Sequence, residues 1–322
     1  MKAISVFSGG LDSILAAEIM RRLGIEIQAV FFETPFFTSE KAKATADAAN
    51  LPIRIIDITE RHLEVVKNPP HGYGGNMNPC IDCHALMFRI AGELLEEEGA
   101  GFIITGEVLG QRPMSQNRGA LSIVDKESGM EGLILRPLSA RHLPATLPEE
   151  KGWIRREDMM AFSGRSRKPQ MELAARFNIT GYPSPAGGCL LTEEVFSRRL
   201  KDLMRSCASL EVRDIELLKL GRHFRIGPNT RLVIGRKEDE NEAIASLAKG
   251  EDLLMTTPSV PGPDTLVTGE ITPNLEEMAA VMTVSYSDAK AGETLVKIRH
   301  RGNDRLVMAR GRGKEEFKGL MI

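Results

Sequence analysis

Apolar positions along this chain follow two rhythms. Short runs of branched and aromatic residues, beginning with Ala3-Ile4-Ser5-Val6-Phe7 and recurring at 27–32, 53–58, 101–105 and 132–138, read as strands. Between the first four lie stretches of helical period at 13–23, 39–50 and 83–98. The first of these sets Ile14, Leu15, Ile19, Met20 and Leu23 on one face. Strands alternating with helices predict parallel βαβ units with right-handed crossovers. The expected fold class is therefore α/β: a doubly wound, mainly parallel sheet whose ligand sits at the carboxyl ends of its strands.

After Pro137 the rhythm is lost. Residues 139–170 carry Pro144, Pro148, Gly152, Gly164 and Pro169 among Arg155, Arg156, Arg165, Arg167 and Lys168, the pattern of a long irregular connection with a basic surface. Helical periodicity returns at 170–178 and 192–220, on either side of the loop Gly181-Tyr-Pro-Ser-Pro-Ala-Gly-Gly-Cys189. Beyond Gly221 short strands are expected at 231–234, 266–268, 294–299 and 305–309. This divides the chain into a nucleotide-type domain over 1–170, a helical connection carrying Cys189 over 171–214, and a second, smaller α/β domain over 215–322.

Composition narrows the class without naming a function. With 322 residues, 42% hydrophobic and 27% charged, the chain is that of a globular protein. A net charge of −2 means that a nucleic acid would have to be held by local patches. No apolar run approaches the roughly 18 residues that span a bilayer, and no secretory leader pattern opens the chain. A cytoplasmic location without membrane partners is expected. Four cysteines in that compartment point away from structural disulfides.

The first strand runs directly into Ser8-Gly-Gly-Leu-Asp-Ser13 and then into a helix. Paired glycines turn tightly and let an anion approach main-chain N–H groups, and a helix start adds unpaired donors and a positive dipole end. The ligand expected is a phosphate; the bland alternative is a helix capped by serine and aspartate. The lysine of a Walker A loop is missing. Asp12 stands instead, a carboxylate able to hold Mg²⁺ on the phosphates.

This hexapeptide resembles the PP-loop of the ATP-pyrophosphatase superfamily, whose members cleave ATP between its α- and β-phosphates. The resemblance implies that Ser8, Gly9, Gly10, Asp12 and Ser13 cradle pyrophosphate and that Phe32 and Glu33 lie near adenine. A second segment, Thr105-Gly-Glu-Val-Leu-Gly-Gln-Arg-Pro-Met-Ser-Gln116, with Leu135-Arg-Pro-Leu138 after it, is similar to tRNA 4-thiouridine synthases. It adds Thr105, Gly106 and Gln111 to the expected nucleotide contacts, with Glu107 and Gln116 as further polar groups at that edge. Those synthases carry an Asp-Lys pair shortly afterwards. Here the chain reads Ser139-Ala-Arg-His-Leu143, so the lysine's role falls to Arg141, to another cation, or to nothing. The chain opens on the PP-loop strand, so the RNA-binding module that precedes it in the long synthases, and a rhodanese-like carrier after it, are not expected.

Asn78-Pro-Cys-Ile-Asp-Cys83 precedes a helix, a position expected to lower thiol pKa and favour thiolate. It resembles the Asn-Pro-Cys-x-x-Cys of tRNA 2-thiouridylases. Cys189 follows two glycines that let a thiol approach another site. Three readings stay open. Cys80, Cys83 and Cys189 bind a 4Fe–4S cluster whose fourth iron accepts hydrosulfide; or one cysteine carries a persulfide that another resolves; or zinc binds with His84 as fourth ligand. Cys207 fits none of these and belongs to a helix. His62, His71, His142, His223 and His300 stand singly, as ordinary surface or loop residues do.

The stretch from His223 to Arg236, continued through Gly250-Glu-Asp-Leu-Leu254 and Pro261-Gly-Pro263, resembles the NFACT RNA-binding domain. Arg222, Arg225, Arg231, Arg236, Lys297, Arg299, Arg301, Arg305, Arg310, Arg312 and Lys314 supply charge suited to a phosphate backbone. The combined expectation is an ATP- and Mg²⁺-dependent tRNA sulfurtransferase, with Asp12, Cys80 and Cys189 catalytic and 4-thiouridine ahead of 2-thiouridine as product. A cysteine desulfurase or free sulfide would donate the sulfur. The alternatives are an adenylating amidotransferase or ligase on a small substrate, and an RNA-binding module with a vestigial nucleotide fold.

Overall fold

The structure, a computed structural model, describes residues 1–182, 189–207, 210–289 and 292–322. Residues 186–188, the glycine approach to Cys189, lie outside them. The chain forms two compact units, Met1–Thr192 and Glu193–Ile322, dividing inside the segment expected as a helical connection.

The first unit runs β1 (Lys2–Val6), α1 (Leu11–Arg22), β2 (Glu26–Glu33), α2 (Glu40–Ala48), β3 (Ile53–Asp57), α3 (Thr59–Lys67), α4 (Cys80–Glu93), β4 (Phe102–Thr105), α5 (Arg118–Ser128), β5 (Ile134–Leu135), α6 (Leu147–Glu150) and α7 (Lys168–Arg176). Its five strands are all parallel, in the order β3-β2-β1-β4-β5. This is the doubly wound α/β sheet the strand–helix rhythm predicts. β1 is the centre, and neighbouring positions of it feed opposite cores. Ala3 joins Leu15, Phe102 and Ile104 beneath α1, while Ile4 joins Val30, Phe88 and Ile103 beneath α4. Burial on both faces is why these strands read as continuous apolar runs.

The strand order reverses between β1 and β4, so the turn after Val6 and the loop after Thr105 leave the sheet side by side. That is a topological switch point, where open α/β sheets bind ligands. β5 keeps only Ile134–Leu135 of the expected 132–138. Arg136 turns into a buried ion pair and Pro137 has no N–H for a ladder. The stretch 139–170 is less irregular than its glycines and prolines suggest. Met160 and Phe162 donate backbone hydrogen bonds to Pro137 and Leu138, and Gly164 donates to Leu109.

The second unit contains α8 (Glu194–Ser206), α9 (Val212–Leu218), β6 (Arg222–Gly227), β7 (Thr230–Ile234), α10 (Glu238–Leu247), β8 (Leu253–Thr256), β9 (Thr265–Gly269), α11 (Pro273–Ser285), β10 (Glu293–His300) and β11 (Asn303–Arg310). Its sheet, β11-β10-β8-β9-β7-β6, is antiparallel throughout. α11 covers one face through Ala279 and Met282, packed with Phe224, Val267, Val296 and Ile298. Leu217 and Ile244, from α9 and α10, meet Val233 and Leu266 on the other. Among the described residues no helix is long and apolar enough to cross a membrane.

Candidate active site

The turn between β1 and α1 is built around glycine. Gly9 has φ +73°, and a Cβ there would lie 2.8 Å from the Cα of Ala42, so α2 packs directly on the loop. Gly10 is the N-cap of α1, in an extended conformation, and no side chain caps the helix. This removes the reading of a helix capped by serine and aspartate, and leaves the first N–H groups of α1 open to a ligand. Ser13 spends its hydroxyl on the carbonyl of Gly10 (2.8 Å), with Ser8 Oγ 3.4 Å away.

Asp12 faces across the switch point to the loop after β4. Gln111 Nε2 donates to its Oδ2 at 2.7 Å, and Gln170 in turn donates to Gln111 Oε1 at 2.8 Å. The other carboxylate oxygen, Oδ1, is buried without a partner, as is Oε1 of Gln116. Buried acceptors are rarely left orphaned, so these mark a place for a donor or a cation. Gly106 is what permits the approach: a Cβ would fall 2.5 Å from the backbone of Asp12 and Ser13. Ser8, Asp12, Ser13, Thr105, Gly106, Gln111 and Gln116 line one cavity of 210 Å³. All the residues expected from the turn and from the segment after β4 thus meet there, except Gly9 and Gly10, which shape the turn.

Glu107 anchors the loop from beneath. It is 4% exposed, accepts Arg136 Nε at 2.9 Å and lies 2.8 Å from His84 Nδ1. Arg136 also forks onto Asp125, at 3.0 and 2.7 Å. Burial pushes the Glu107 carboxyl up, but Arg136 and His84 outweigh it and bring the pKa down to about 2. At Asp125 burial prevails over Arg136, and its pKa rises. His84 is thereby fixed at Nδ1, with its ring lining the phosphate cavity.

A second cavity of 410 Å³ adjoins the first and shares Val6, Ser8, His84, Met87 and Arg112 with it. Phe31, Phe32, Phe36 and Phe37 form its apolar wall, and Cys80, Cys83 and Cys189 all open onto it. Two hydrogen bonds bring the distant Cys189 segment alongside α4: Met77 N to Leu191 O (3.2 Å) and Asn76 Nδ2 to Thr192 O (2.7 Å).

The thiol chemistry differs from the expectation. A helix N-terminus favours thiolate, yet both thiols of the pair are pushed up. Burial does this to Cys80 against the opposing pull of Arg112, Asn78 and Ser115; burial and then the neighbouring Cys189, Cys80 and Asp82 do it to Cys83. His62, expected at the surface, is fully buried, with Nε2 3.2 Å from Cys83 Sγ and its ring edge-on to Phe36 and Phe37. Burial lowers its pKa to about 4, so it is a neutral imidazole. His223 is buried as well, with Nε2 2.9 Å from Leu220 O. Cys207 is exposed at the end of α8.

Two expected groups lie elsewhere. Arg141 gives its guanidinium to the carbonyl of Glu157, away from both cavities. Glu33 accepts the N–H and hydroxyl of Ser39 (2.9 and 2.6 Å) at the start of α2, while Phe32 does line the thiol cavity. The cations that do line the cavities are Arg112, shared by both, and Lys41. Arg112 lies inside the segment 105–116 but carries no expected role there, and no motif marks Lys41, which reaches the cavity from α2. Among the described residues no group of three or more His, Cys, Asp or Glu side chains is arranged to hold a metal ion.

In the second unit, most of the expected RNA-contacting cations are engaged internally. Arg225 pairs with Asp202, Arg236 with Glu240, Lys297 and Arg299 with Asp304, and Arg305 with Glu276. Arg231 is 4% exposed.

A parallel sheet with a glycine turn at its switch point, opening onto a thiol-lined cavity, defines a doubly wound α/β unit, here joined to a unit with an antiparallel sheet. Residues 1–142 match the family described as thiamine biosynthesis protein (ThiI), and residues 221–316 match the NFACT protein RNA-binding domain. The probable tRNA sulfurtransferase of Thermoanaerobacter sp. (strain X514) is 31% identical over 146 residues, 42% of this chain and 36% of that protein. The probable tRNA sulfurtransferase of Thermotoga maritima (strain ATCC 43589) is 34% identical over 149 residues, 43% of this chain and 36% of that protein. The chain thus spans about a third of the length of these curated relatives. A solved 4-thiouridine synthetase–RNA complex with bound ATP aligns at 22% identity over 55% of this chain and 51% of that one, with a TM-score of 0.35.

Proposed function

We propose that this protein is an ATP-dependent tRNA sulfurtransferase that converts a uridine carbonyl to a thiocarbonyl, with 4-thiouridine the favoured product. The observation that carries the reading is the joining of the two cavities. A phosphate turn with an orphaned carboxylate oxygen and a pocket of three thiols share Ser8, His84 and Arg112, so activation and sulfur delivery can act on one carbonyl.

In this reading ATP places its phosphates on the open N–H groups of α1, and Asp12 would hold Mg²⁺, which would neutralise their charge. The uridine carbonyl oxygen attacks the α-phosphorus and pyrophosphate leaves, giving an O-adenylated carbon. Hydrosulfide adds to that carbon from the thiol side and loses its proton as AMP departs with the original oxygen, leaving the thiocarbonyl. Arg112, lining both cavities, balances charge that develops between them. Among the described residues the three cysteines open onto one pocket without being drawn together as metal ligands, so it is their chemistry alone that bears on a metal–sulfur group. Burial and mutual repulsion disfavour three thiolates in one apolar pocket, and a positive centre between them reverses that. A 4Fe–4S cluster held by Cys80, Cys83 and Cys189 would supply an open iron for hydrosulfide.

The test is nucleoside analysis of tRNA from a strain lacking the protein, with tRNA-dependent release of AMP and pyrophosphate by the purified chain. An unchanged thionucleoside profile overturns the reading. ATP turnover driven by a small acid or amine without RNA would support a ligase instead. Metal analysis of anaerobically purified wild type and Cys189→Ala decides the thiol group: iron and sulfide lost in the variant support the cluster, and stoichiometric zinc without iron rejects it.

A further inference from the structure

The three regularly spaced cations of α8 have no use inside the unit. Arg198, Lys201 and Arg205 fall three and four residues apart and so form one stripe along the helix. All three are exposed, and no carboxylate among the described residues pairs with any of them. This sets them apart from the cations of β6, β7, β10 and β11, most of which have an acid partner. Together with Arg225, Asp202 and residues 319–322 they line a cavity of 310 Å³. Asp202 is the single acidic side chain in that lining, and Arg225 already occupies its carboxylate.

A fourth cation of α8 turns inward. Arg199, on the adjoining face of α8, donates to the carbonyls of Leu218 and Gly221 at 2.7 and 3.0 Å. Burial, then Arg236 and Arg198, bring its pKa down to about 10. Positive charge is locally concentrated on this part of α8. Arg198 to Arg205 spans roughly 10 Å along the helix axis, a reach that suits a chain of phosphates better than a single one.

We propose that the Arg198–Lys201–Arg205 face of α8, with Arg225 opposite, is a phosphodiester-binding groove for RNA. It lies before residues 221–316, the stretch that matches the NFACT domain. The proposal rests on the reading of the second unit as RNA-binding and locates its backbone contacts. Arg225, held by Asp202 and by Ser206 at 2.9 Å, acts as a fixed wall; the three stripe cations move to meet phosphates.

The experiment measures binding of unmodified tRNA by fluorescence anisotropy across a salt series, using the full chain. Arg198→Gln/Lys201→Gln/Arg205→Gln should weaken binding at least about tenfold and reduce the salt slope by about 2–3. The charge-conserving Arg198→Lys/Arg205→Lys should bind within about twofold of wild type, because a nonspecific backbone contact reads charge. Lys297→Gln/Arg299→Gln, which loses cations already paired to Asp304, should have the smaller effect. Wild type that fails to bind tRNA at low salt removes the RNA reading itself. Wild type that binds while the triple variant binds equally overturns the groove alone. Loss of binding to phosphatidylserine vesicles with tRNA binding intact would also overturn it, in favour of a lipid surface. Failure of the lysine variant to bind, at an unchanged melting midpoint, would reject a charge-only contact.

Discussion

The two cavities of the first unit sit side by side and treat charge in opposite ways. On the phosphate side, carboxylate and amide oxygens of Asp12 and Gln116 are buried and unsatisfied, beneath a helix start with no side-chain cap. That pocket presents unpaired acceptors beside open backbone donors. On the thiol side, five phenylalanines and the neutral His62 line the pocket in which burial holds Cys80 and Cys83 protonated. That pocket excludes charge until something positive enters it. Activation of a carbonyl needs the first environment, and protection of a reactive sulfur from water needs the second. Keeping them separate but contiguous lets one chain hold both.

The comparison predicts that the two sides fail differently. Asp12→Asn keeps the shape and the Gln111 contact but removes the carboxylate charge that the proposed reading assigns to Mg²⁺. Pyrophosphate release should fall about 10²–10³-fold, and thiolation with it, while the melting midpoint is unchanged. Release within about threefold of wild type would break the assignment of Asp12 to the phosphates. Cys83→Ala removes a thiol from the far side of the partition. It should abolish thionucleoside formation and leave tRNA-dependent pyrophosphate release within about threefold. Parallel loss of both activities would mean the cavities act as one, and the contrast would be lost.

The partition itself depends on the buried network that carries His84. Glu107→Gln leaves Arg136 buried with Asp125 as its sole carboxylate. The cost should be about 3–5 kcal/mol in denaturant unfolding. The pH dependence is more specific. The folded carboxyl titrates near 2 against an ordinary value of 4.5, so its stabilising contribution is complete at neutral pH and disappears as pH falls from about 4.5 towards 2. A shift of that size corresponds to something on the order of 3 kcal/mol. The wild-type unfolding midpoint should therefore drop through this window more steeply than that of Glu107→Gln. Equal slopes would show that Glu107 is not held ionised by Arg136 and His84.

What could be read from the chain divides along the same line. The phosphate turn was legible because its chemistry is contiguous: β1, two glycines, Asp12 and the start of α1 are neighbours in sequence, and local backbone geometry does the rest. The parallel sheet was legible because β1, β2 and β4 are apolar on both faces. α3 was missed because, of its nine residues, only His62, Leu63 and Val66 are buried, too few to show a period. β6 and β8 were missed for different reasons: arginines interrupt the first, and the second has four residues. His62 looked like a surface residue because a lone histidine carries no pattern; only the packing of α3 against α4 puts it beside Cys83. The thiolate expectation erred because a helix N-terminus is visible in sequence and the depth of burial is not.

Arg112 and Arg141 give the finest test, since sequence reasoning named the second and the structure puts the first at the site. Both are exposed arginines, Arg112 on the loop after β4 and Arg141 in a short 3-10 turn, so neither substitution should change stability by more than about 0.5 kcal/mol. Arg112 lines both cavities and lowers the Cys80 thiol against burial, whereas Arg141 is tied to the Glu157 carbonyl. Arg112→Gln should reduce thiolation about tenfold, the scale of one partly solvated charge stabilising a transition state. Arg141→Gln should leave it within about twofold. Arg112→Lys sharpens the result. A cation with a shorter, unforked head restores the charge without the guanidinium plane, so partial rescue points to charge balance between the cavities and no rescue to bidentate contact with phosphate. If Arg141→Gln proves the more damaging change, the cation of this site is the one at the Asp-Lys position of the related synthases, and the loop carrying Arg141 must move to bring it in.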